Sequence, residues 1–418
     1  MNEKISKRSS FETNALIVFG LSILANAING IFQILSGKLL GTTDYGMVNV
    51  VNSYVTYLGV FCGPIVTMAC CYSAKLYADK QQVAGFIRWI IKYSLILEIF
   101  ICIAGVYAAL LMRGIFGEET FRTAVFVVLL LPTNSFYIIL LSIIQGMQKF
   151  TIHGLVGLVF YGTKVLVSVF LIQTGWGSFG VISGMLISQI LCVGLCLFLL
   201  RDYLSGSIPK TAYSYHDLTD FYSSIFLLQL FYFFYINGGD IIILDLFFSK
   251  DTVGEYSAAI MLCKLLFYVI TPLTTVLLPN VAEKNSKGME TRGILRKAVF
   301  YALVITCGFG IVLWLLGGKI LILLYGTQYQ NAQKYLAFAF IYTVSLVILS
   351  LVYSYQTAIG QTRRMTLAFL VMGICMSGAL GIRHDSPQMV VGIISILLMI
   401  LDGYTLVLAL GGRDEKKN

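Results

Sequence analysis

The sequence is dominated by uninterrupted apolar runs, each near the ~20 residues that a helix needs to cross the hydrocarbon core of a bilayer. Nearly all of its 418 residues can be partitioned into such runs. In the N-terminal half they cover 14–36, 45–70, 85–112, 123–145, 154–174 and 181–200. In the C-terminal half they cover 221–247, 253–278, 298–316, 336–358, 365–381 and 389–410. A transmembrane barrel alternates apolar and polar residues over strands of about ten residues, and these runs do not alternate. In lipid every backbone N–H and C=O must find its partner internally, so continuous runs fold as helices. The expectation is an all-α integral membrane protein of about 12 transmembrane helices, one for each run. Composition agrees: 58% of residues are hydrophobic and 12% charged, against about 45–50% and 25% in soluble domains.

The net charge of +9 could suit nucleic acid, but the basic residues are scattered over short loops rather than gathered on one surface. Their distribution does give an orientation. With the N-terminus inside, the inner segments hold 20 Lys and Arg (Lys80, Arg88, Lys149, Arg201, Arg363 and Arg364 among them) and the outer segments 7, including Lys250, Lys334 and Arg383. By the positive-inside rule both termini are cytoplasmic. Residues 1–10 are basic, but the apolar run behind them is too long for a signal peptide and lacks a cleavage site. The longest inner loops, 201–220 and 282–297, are too short to fold as domains of their own. The nine cysteines sit almost wholly inside apolar runs. The Cys192/Cys196 pair has helical spacing but no His or carboxylate beside it, so it reads as small apolar packing rather than as a metal site. No disulfide framework is implied.

Two landmarks recur between the halves. Gly46 precedes Pro64 and Gly254 precedes Pro272 by the same 18 residues. The fourth span ends Gln145-Gly146-Met147-Gln148-Lys149 and the tenth ends Ile359-Gly360-Gln361-Thr362-Arg363. Both matches set helix n against helix n + 6, an even shift that keeps the halves parallel across the membrane. The expected organisation is therefore two six-helix lobes, 1–210 and 211–418, around a central cavity.

Several segments resemble a known family. Gly37-Lys38-Leu39-Leu40-Gly41-Thr42-Thr43-Asp44-Tyr45-Gly46 is similar to the R-x-LG-x-x-x-YG signature of polysaccharide flippases, with Lys38 in place of Arg and one extra Leu. Gly239-Asp240-Ile241-Ile242-Ile243, followed by Val253-Gly254-Glu255-Tyr256-Ser257-Ala258-Ala259, resembles that family's D-x-x-[IL]…VG-x-Y-x-x-A region. Leu324-Tyr325-Gly326-Thr327-Gln328-Tyr329 resembles its LYG-x-x-Y element. The family is the Wzx-like branch of the multidrug/oligosaccharidyl-lipid/polysaccharide exporter superfamily. The resemblance implies a flippase in the bacterial cytoplasmic membrane, carrying polyprenyl-diphosphate-linked oligosaccharide from inner to outer leaflet for cell-surface polysaccharide assembly. It implies no cofactor, membrane lipid and polysaccharide polymerase machinery as partners, and coupling to an ion gradient in at least some relatives. Lipid II flippases of the same superfamily typically have fourteen helices, which sets them behind the Wzx-like reading here.

A charge at bilayer depth costs about 2.5–3.5 kcal/mol on insertion scales, so each one asks for a reason. The fifth span aligns Gly157, Tyr161, Lys164 and Ser168 on one stripe, and the eighth aligns Ser257, Lys264, Tyr268, Thr271 and Thr275. Lys164 and Lys264, with Tyr161 and Tyr268, could line the cavity and hold a diphosphate; alternatively the lysines pair with Glu98 or Asp240 inside the bundle. Asp240 follows the helix-loosening Asn237-Gly238-Gly239 and reads as a coupling group, a hinge partner or a cap. Glu98 reads as a pairing or proton-coupling group, and Asp402 in the last span admits the same roles. Asn26 and Asn29 on the first span and Asn49 and Asn52 on the second suit sugar hydroxyls, or bond helix to helix.

Other function classes fit less well. A multidrug antiporter of the same superfamily usually has a carboxylate within its first helix, and here only Glu12 stands at that helix's mouth. An enzyme acting on polyprenyl-linked sugar needs a large outer loop, and the outer loops are short, with Glu118-Glu119 their one acidic pair. Gly157-Leu158-Val159-Phe160-Tyr161-Gly162-Thr163-Lys164 only grazes the phosphate-binding loop pattern and lies in a span. His153, His216 and His384 are solitary, with no metal-ligand cluster or nucleophile. The expectation is a carrier without catalytic residues.

Overall fold

The computed structural model describes residues 2–76, 79–116, 118–147, 149–204, 226, 230–286, 289–359, 361 and 363–411. Among the positions singled out above, Gln148, His216, Gly360 and Thr362 lie outside the described residues, as does most of the loop 201–220. All secondary structure among the described residues is helical.

The chain divides into two compact units, one of Met1–Leu40 and Met47–Phe226, the other of Gly41–Gly46 and Leu227–Asn418. The first unit is built from α1 (Asn2–Leu40), most of α2 (Thr42–Leu58), a 3₁₀ turn Gly59–Cys62, α3 (Gly63–Leu76), α4 (Lys80–Phe116), α5 (Glu118–Gly146), α6 (Phe150–Leu171) and α7 (Gly177–Leu204). A π-helical turn, Ile172–Trp176, joins α6 to α7, and Gly175 and Gly177 take positive φ there so that the chain can reverse. The second unit holds α8 (Leu230–Ile236), α9 (Gly239–Phe247), α10 (Lys250–Ser286), α11 (Arg292–Tyr325), a 3₁₀ segment Thr327–Tyr335, α12 (Leu336–Ile359), α13 (Arg363–Ile382) and α14 (Pro387–Gly411).

Nine helical stretches among the described residues are long and apolar enough to cross a membrane, or ten if α8 and α9, bent by 74°, form one span. Phe150–Leu204 counts as a single stretch of 55 residues, although the sequence reads it as two spans. The segment from α2 to α3 is not among the nine: α2 has 17 residues and α3 has 14, each too short to count as a span by itself. The long helices turn large apolar side chains outward: Phe100 and Tyr107 on α4, Leu166 on α6, Trp314 on α11 and Ile374 on α13 are each more than 60% exposed. In water such surfaces would aggregate; toward lipid tails they are the expected exterior. The protein is a multi-pass membrane protein.

Inside the first unit, Phe86, Ile87, Ile139, Leu140, Ile143, Cys192 and Cys196 pack one apolar cluster, and Phe32, Met47, Val51, Leu130, Val181 and Met185 another. In the second unit, the short segment Gly41–Gly46 makes an unusually close helix contact with the start of α10. A Cβ on Gly46 would lie 1.9 Å from the Lys250 carbonyl oxygen, and one on Gly254 would lie 1.8 Å from that of Thr42. The contact is reciprocal, since the glycines that mark the sequence repeat each face the carbonyl four residues before the other. The Thr42 and Thr43 hydroxyls both donate to the Asp251 carboxylate, and Tyr45 packs with Tyr325 and Tyr329 at centroid distances of 5.9 and 6.1 Å.

Candidate functional site

The polar residues in the spans fall into three arrangements. In the first unit α1 packs along α6. This brings Lys164, 6% exposed, to Asn29, whose Oδ1 accepts a hydrogen bond from Nζ at 3.3 Å. The ammonium lies 3.9 Å from the centroid of the Phe32 ring and 5.9 Å from that of Tyr161. Both distances are within cation–π range. Asn29, Tyr161 and Lys164, each singled out in the sequence, thus meet. Phe32 was not foreseen, although it is one turn beyond Asn29 on the same helix. Among the described residues Lys164 has no carboxylate partner, so the pairing with Glu98 considered above is not made. Asn26 is half-buried one turn earlier on α1. Asn49 is buried on α2, and the Asn52 carbonyl on that helix accepts a hydrogen bond from Thr56 at 2.7 Å.

Glu98 stands apart on α4. It is 5% exposed, neither carboxyl oxygen has a hydrogen-bond partner among the described residues, and its neighbours include Cys62 and Cys102. Ser94, one turn before it, is also buried, and its hydroxyl has no hydrogen-bond partner among the described residues. A further polar cluster that periodicity did not flag joins α5 to α7. There Thr133 donates to Gln189 Oε1 at 2.5 Å and Gln189 Nε2 donates to Asn134 at 3.3 Å.

In the second unit Lys264 is 6% exposed on α10, one turn from Tyr268, and makes no hydrogen bond or ion pair with any described residue. Its considered partner, Asp240, is engaged elsewhere. That carboxylate is fully buried in the first turn of α9 and accepts the Tyr256 hydroxyl at 2.7 Å. Beside it Tyr342 donates to the Tyr235 carbonyl at 2.6 Å. The break between α8 and α9 puts the carboxylate there: Gly238 takes φ 97°, and the new helix N-terminus, with its partial positive charge, faces Asp240. The helix-loosening triplet was legible in the sequence; the tyrosine cage was not, though Tyr256 lies in the Val253-Gly254-Glu255-Tyr256 segment. Among the described residues no group of three His, Cys, Asp or Glu could hold a metal ion. Among the described residues the spans offer two buried cations without carboxylate partners, neutral donors and acceptors around one of them, and isolated buried carboxyls.

The sequence family described as "Polysaccharide biosynthesis protein" matches residues 92–334, more than half of the chain. No curated protein matches it. Among solved structures the fold is similar to an inward-facing multidrug resistance MATE family transporter of the MOP superfamily, at 18% identity over 94% of this chain and 97% of that one, with a TM-score of 0.70. A mutant of the Vibrio cholerae MATE transporter VcmN is similar at 13% identity over 96% and 97%, with a TM-score of 0.67. An outward-facing MATE family transporter is similar at 14% identity over 95% and 94%, with a TM-score of 0.64. At these identities the likeness is one of fold.

Proposed function

This chain belongs to the polysaccharide biosynthesis protein family, and from that premise we propose that it is a flippase moving polyprenyl-diphosphate-linked oligosaccharide across the bacterial cytoplasmic membrane. In this reading about 12 helices form two lobes around a central cavity, with both termini cytoplasmic. The lobes open alternately to the two sides, the glycan and diphosphate travel in the cavity, and the polyprenyl tail stays in lipid. Product would pass to polysaccharide polymerase machinery.

The observation that carries the reading is the pair of buried lysines, Lys164 and Lys264, that have no carboxylate partner among the described residues. A buried structural lysine normally sits against a carboxylate, because an isolated charge in a low-dielectric interior is costly. These two leave that role open to an anionic ligand. A diphosphate suits an ammonium, which binds phosphate as a point charge with rotatable donors. Asn26, Asn29, Asn49, Asn52, Tyr161 and Tyr268 supply the neutral donors and acceptors that sugar hydroxyls require. Glu98 is assigned to ion coupling and Asp240 to the hinge between α8 and α9. The same two lysines weigh against a multidrug antiporter, whose cationic substrates they would repel, even though the fold is shared with MATE transporters.

The test is leaflet exchange of a fluorescent polyprenyl-diphosphate oligosaccharide in liposomes containing the purified protein. Lys264→Ala is expected to reach normal expression yet lose at least tenfold in exchange rate, about 1.4 kcal/mol of ligand or transition-state binding. Normal exchange by that variant removes the assigned role. No exchange by the wild type across several glycans, with uptake of cationic dyes instead, replaces the flippase by the antiporter.

A further inference from the structure

The carboxyl group of Asp402 lies well inside α14, the side chain is 3% exposed, and neither oxygen makes a hydrogen bond with a described residue. Across the contact between α12 and α14 stands Ser345, 1% exposed, whose hydroxyl lies beside the carboxyl without reaching ordinary hydrogen-bond geometry to any described residue. Thr405, one turn along α14, does not serve Asp402's side chain, because its hydroxyl donates to the backbone carbonyls of Leu401 and Asp402. Two buried side chains with polar atoms unsatisfied among the described residues thus lie close to each other between α12 and α14.

The helices packed on α14 bring no charge to this pair. Helix α12 carries no Asp, Glu, Lys, Arg or His, and its Tyr342 and Tyr355 hydroxyls are engaged with the Tyr235 carbonyl and with Thr291. On α9, Asp240 is held by Tyr256 and Asp245 by Lys250. The basic residues of α11 (Arg292, Arg296, Lys297 and Lys319) lie toward its ends, and Arg363 and Arg364 open α13. An ionised Asp402 would therefore have no counter-charge in the layer where a charge is least tolerated. Two carboxyl oxygens and one hydroxyl are also fewer oxygens than a hard metal cation collects. A proton needs one oxygen only, and once bound it turns the carboxylate into a donor for the serine.

We propose that Asp402 and Ser345 form a proton-binding site in the second unit, filled in the conformation described here. The neutral carboxyl shares a hydrogen bond with Ser345, and the proton passes to water in a conformation that admits water between α12 and α14. The site is distinct from Glu98 and Asp240. It does not depend on what the carrier moves, so its failure and that of the flippase reading are separable.

The experiment is infrared difference spectroscopy of the wild-type protein in liposomes, stepped from mildly acidic to mildly alkaline pH. A protonated-carboxyl C=O band is expected to vanish in Asp402→Asn, to survive in Glu98→Gln, and to change frequency in Ser345→Ala, which keeps the carboxyl but removes its partner. Should Asp402→Asn fail to fold, the Ser345→Ala frequency shift decides the question alone. A band indifferent to both variants overturns the proposal. So does a band that sodium abolishes at constant pH, because the site would then be a metal-cation site.

Discussion

Gly46 and Gly254 are the positions where one added carbon does most. In each case a Cβ would fall within 2 Å of a backbone carbonyl oxygen, 1.9 Å at Gly46 and 1.8 Å at Gly254. A backbone atom cannot swing aside as a side chain would, so the crossing of the two helices must itself open. Gly254→Ala and Gly46→Ala are each expected to lower stability by about 1–3 kcal/mol, the usual range for overpacking. Gly157→Ala is the contrast: nothing lies within 4 Å of its Cβ position, and the gain in helix propensity should leave stability unchanged or up to about 1 kcal/mol higher. Thermal unfolding in detergent, read by tryptophan or thiol exposure, separates the three; equal midpoints would mean the crossing relaxes freely. The sequence marked both glycines, through their equal distances to Pro64 and Pro272. It could not reveal that they touch, because periodicity reports which face a residue occupies and not which distant backbone meets it. The same holds for Lys164, whose stripe was legible while its contact with Phe32 was not.

Among the elements, α8 and α9 show most clearly what a hydropathy reading misses. The run 221–247 reads as one long span, but its described part is two short helices bent by 74° at Asn237 and Gly238. Apolar content alone does not distinguish a straight span from a broken one; the Asn-Gly-Gly triplet signalled weakness without giving a direction. Tertiary hydrogen bonds hold both sides of the break: Tyr342 donates to the Tyr235 carbonyl before it, and Tyr256 to Asp240 after it. Tyr256→Phe should therefore cost about 1–3 kcal/mol, the penalty for leaving a buried acceptor without its donor. Gly238→Ala adds a second, separate cost of roughly 1–2 kcal/mol, since φ at that residue is 97° and a side chain there is strained. The two residues act on one hinge, so the double variant is expected to lose less than the sum. Full additivity in unfolding midpoints would mean that the tyrosine bond and the backbone break are independent.

For the whole molecule the loop charges predict an orientation with both termini inside. In the first unit residues assigned inside gather around one tyrosine: Arg88 donates to the Tyr203 carbonyl at 3.0 Å, and Lys80 and Lys149 lie 6.0 and 5.5 Å from the centre of its ring. In the second unit residues assigned outside also gather, and there the lysines meet carboxylates, Lys250 with Asp245 and Lys334 with Glu255 at 3.3 Å. His384 stacks on Phe247 with ring centroids 4.7 Å apart. Of the cations assigned outside, Lys250 and Lys334 are thus paired with carboxylates, while Lys80 and Lys149, assigned inside, are set against an aromatic ring. Inverting the chain would carry 20 basic residues outward instead of 7. Each crosses against a potential worth about 2.3 kcal/mol per charge per 100 mV. We expect single cysteines placed at Arg383 or Gln328, in a background without the nine native cysteines, to react with a membrane-impermeant maleimide in right-side-out vesicles. Cysteines at Lys149 or Arg363 should react only after the vesicles are opened. The reverse pattern would invert the protein. Labelling of Lys149 and Arg383 from the same side would contradict the expected even helix count, and with it the parallel repeat proposed for two alternately opening lobes.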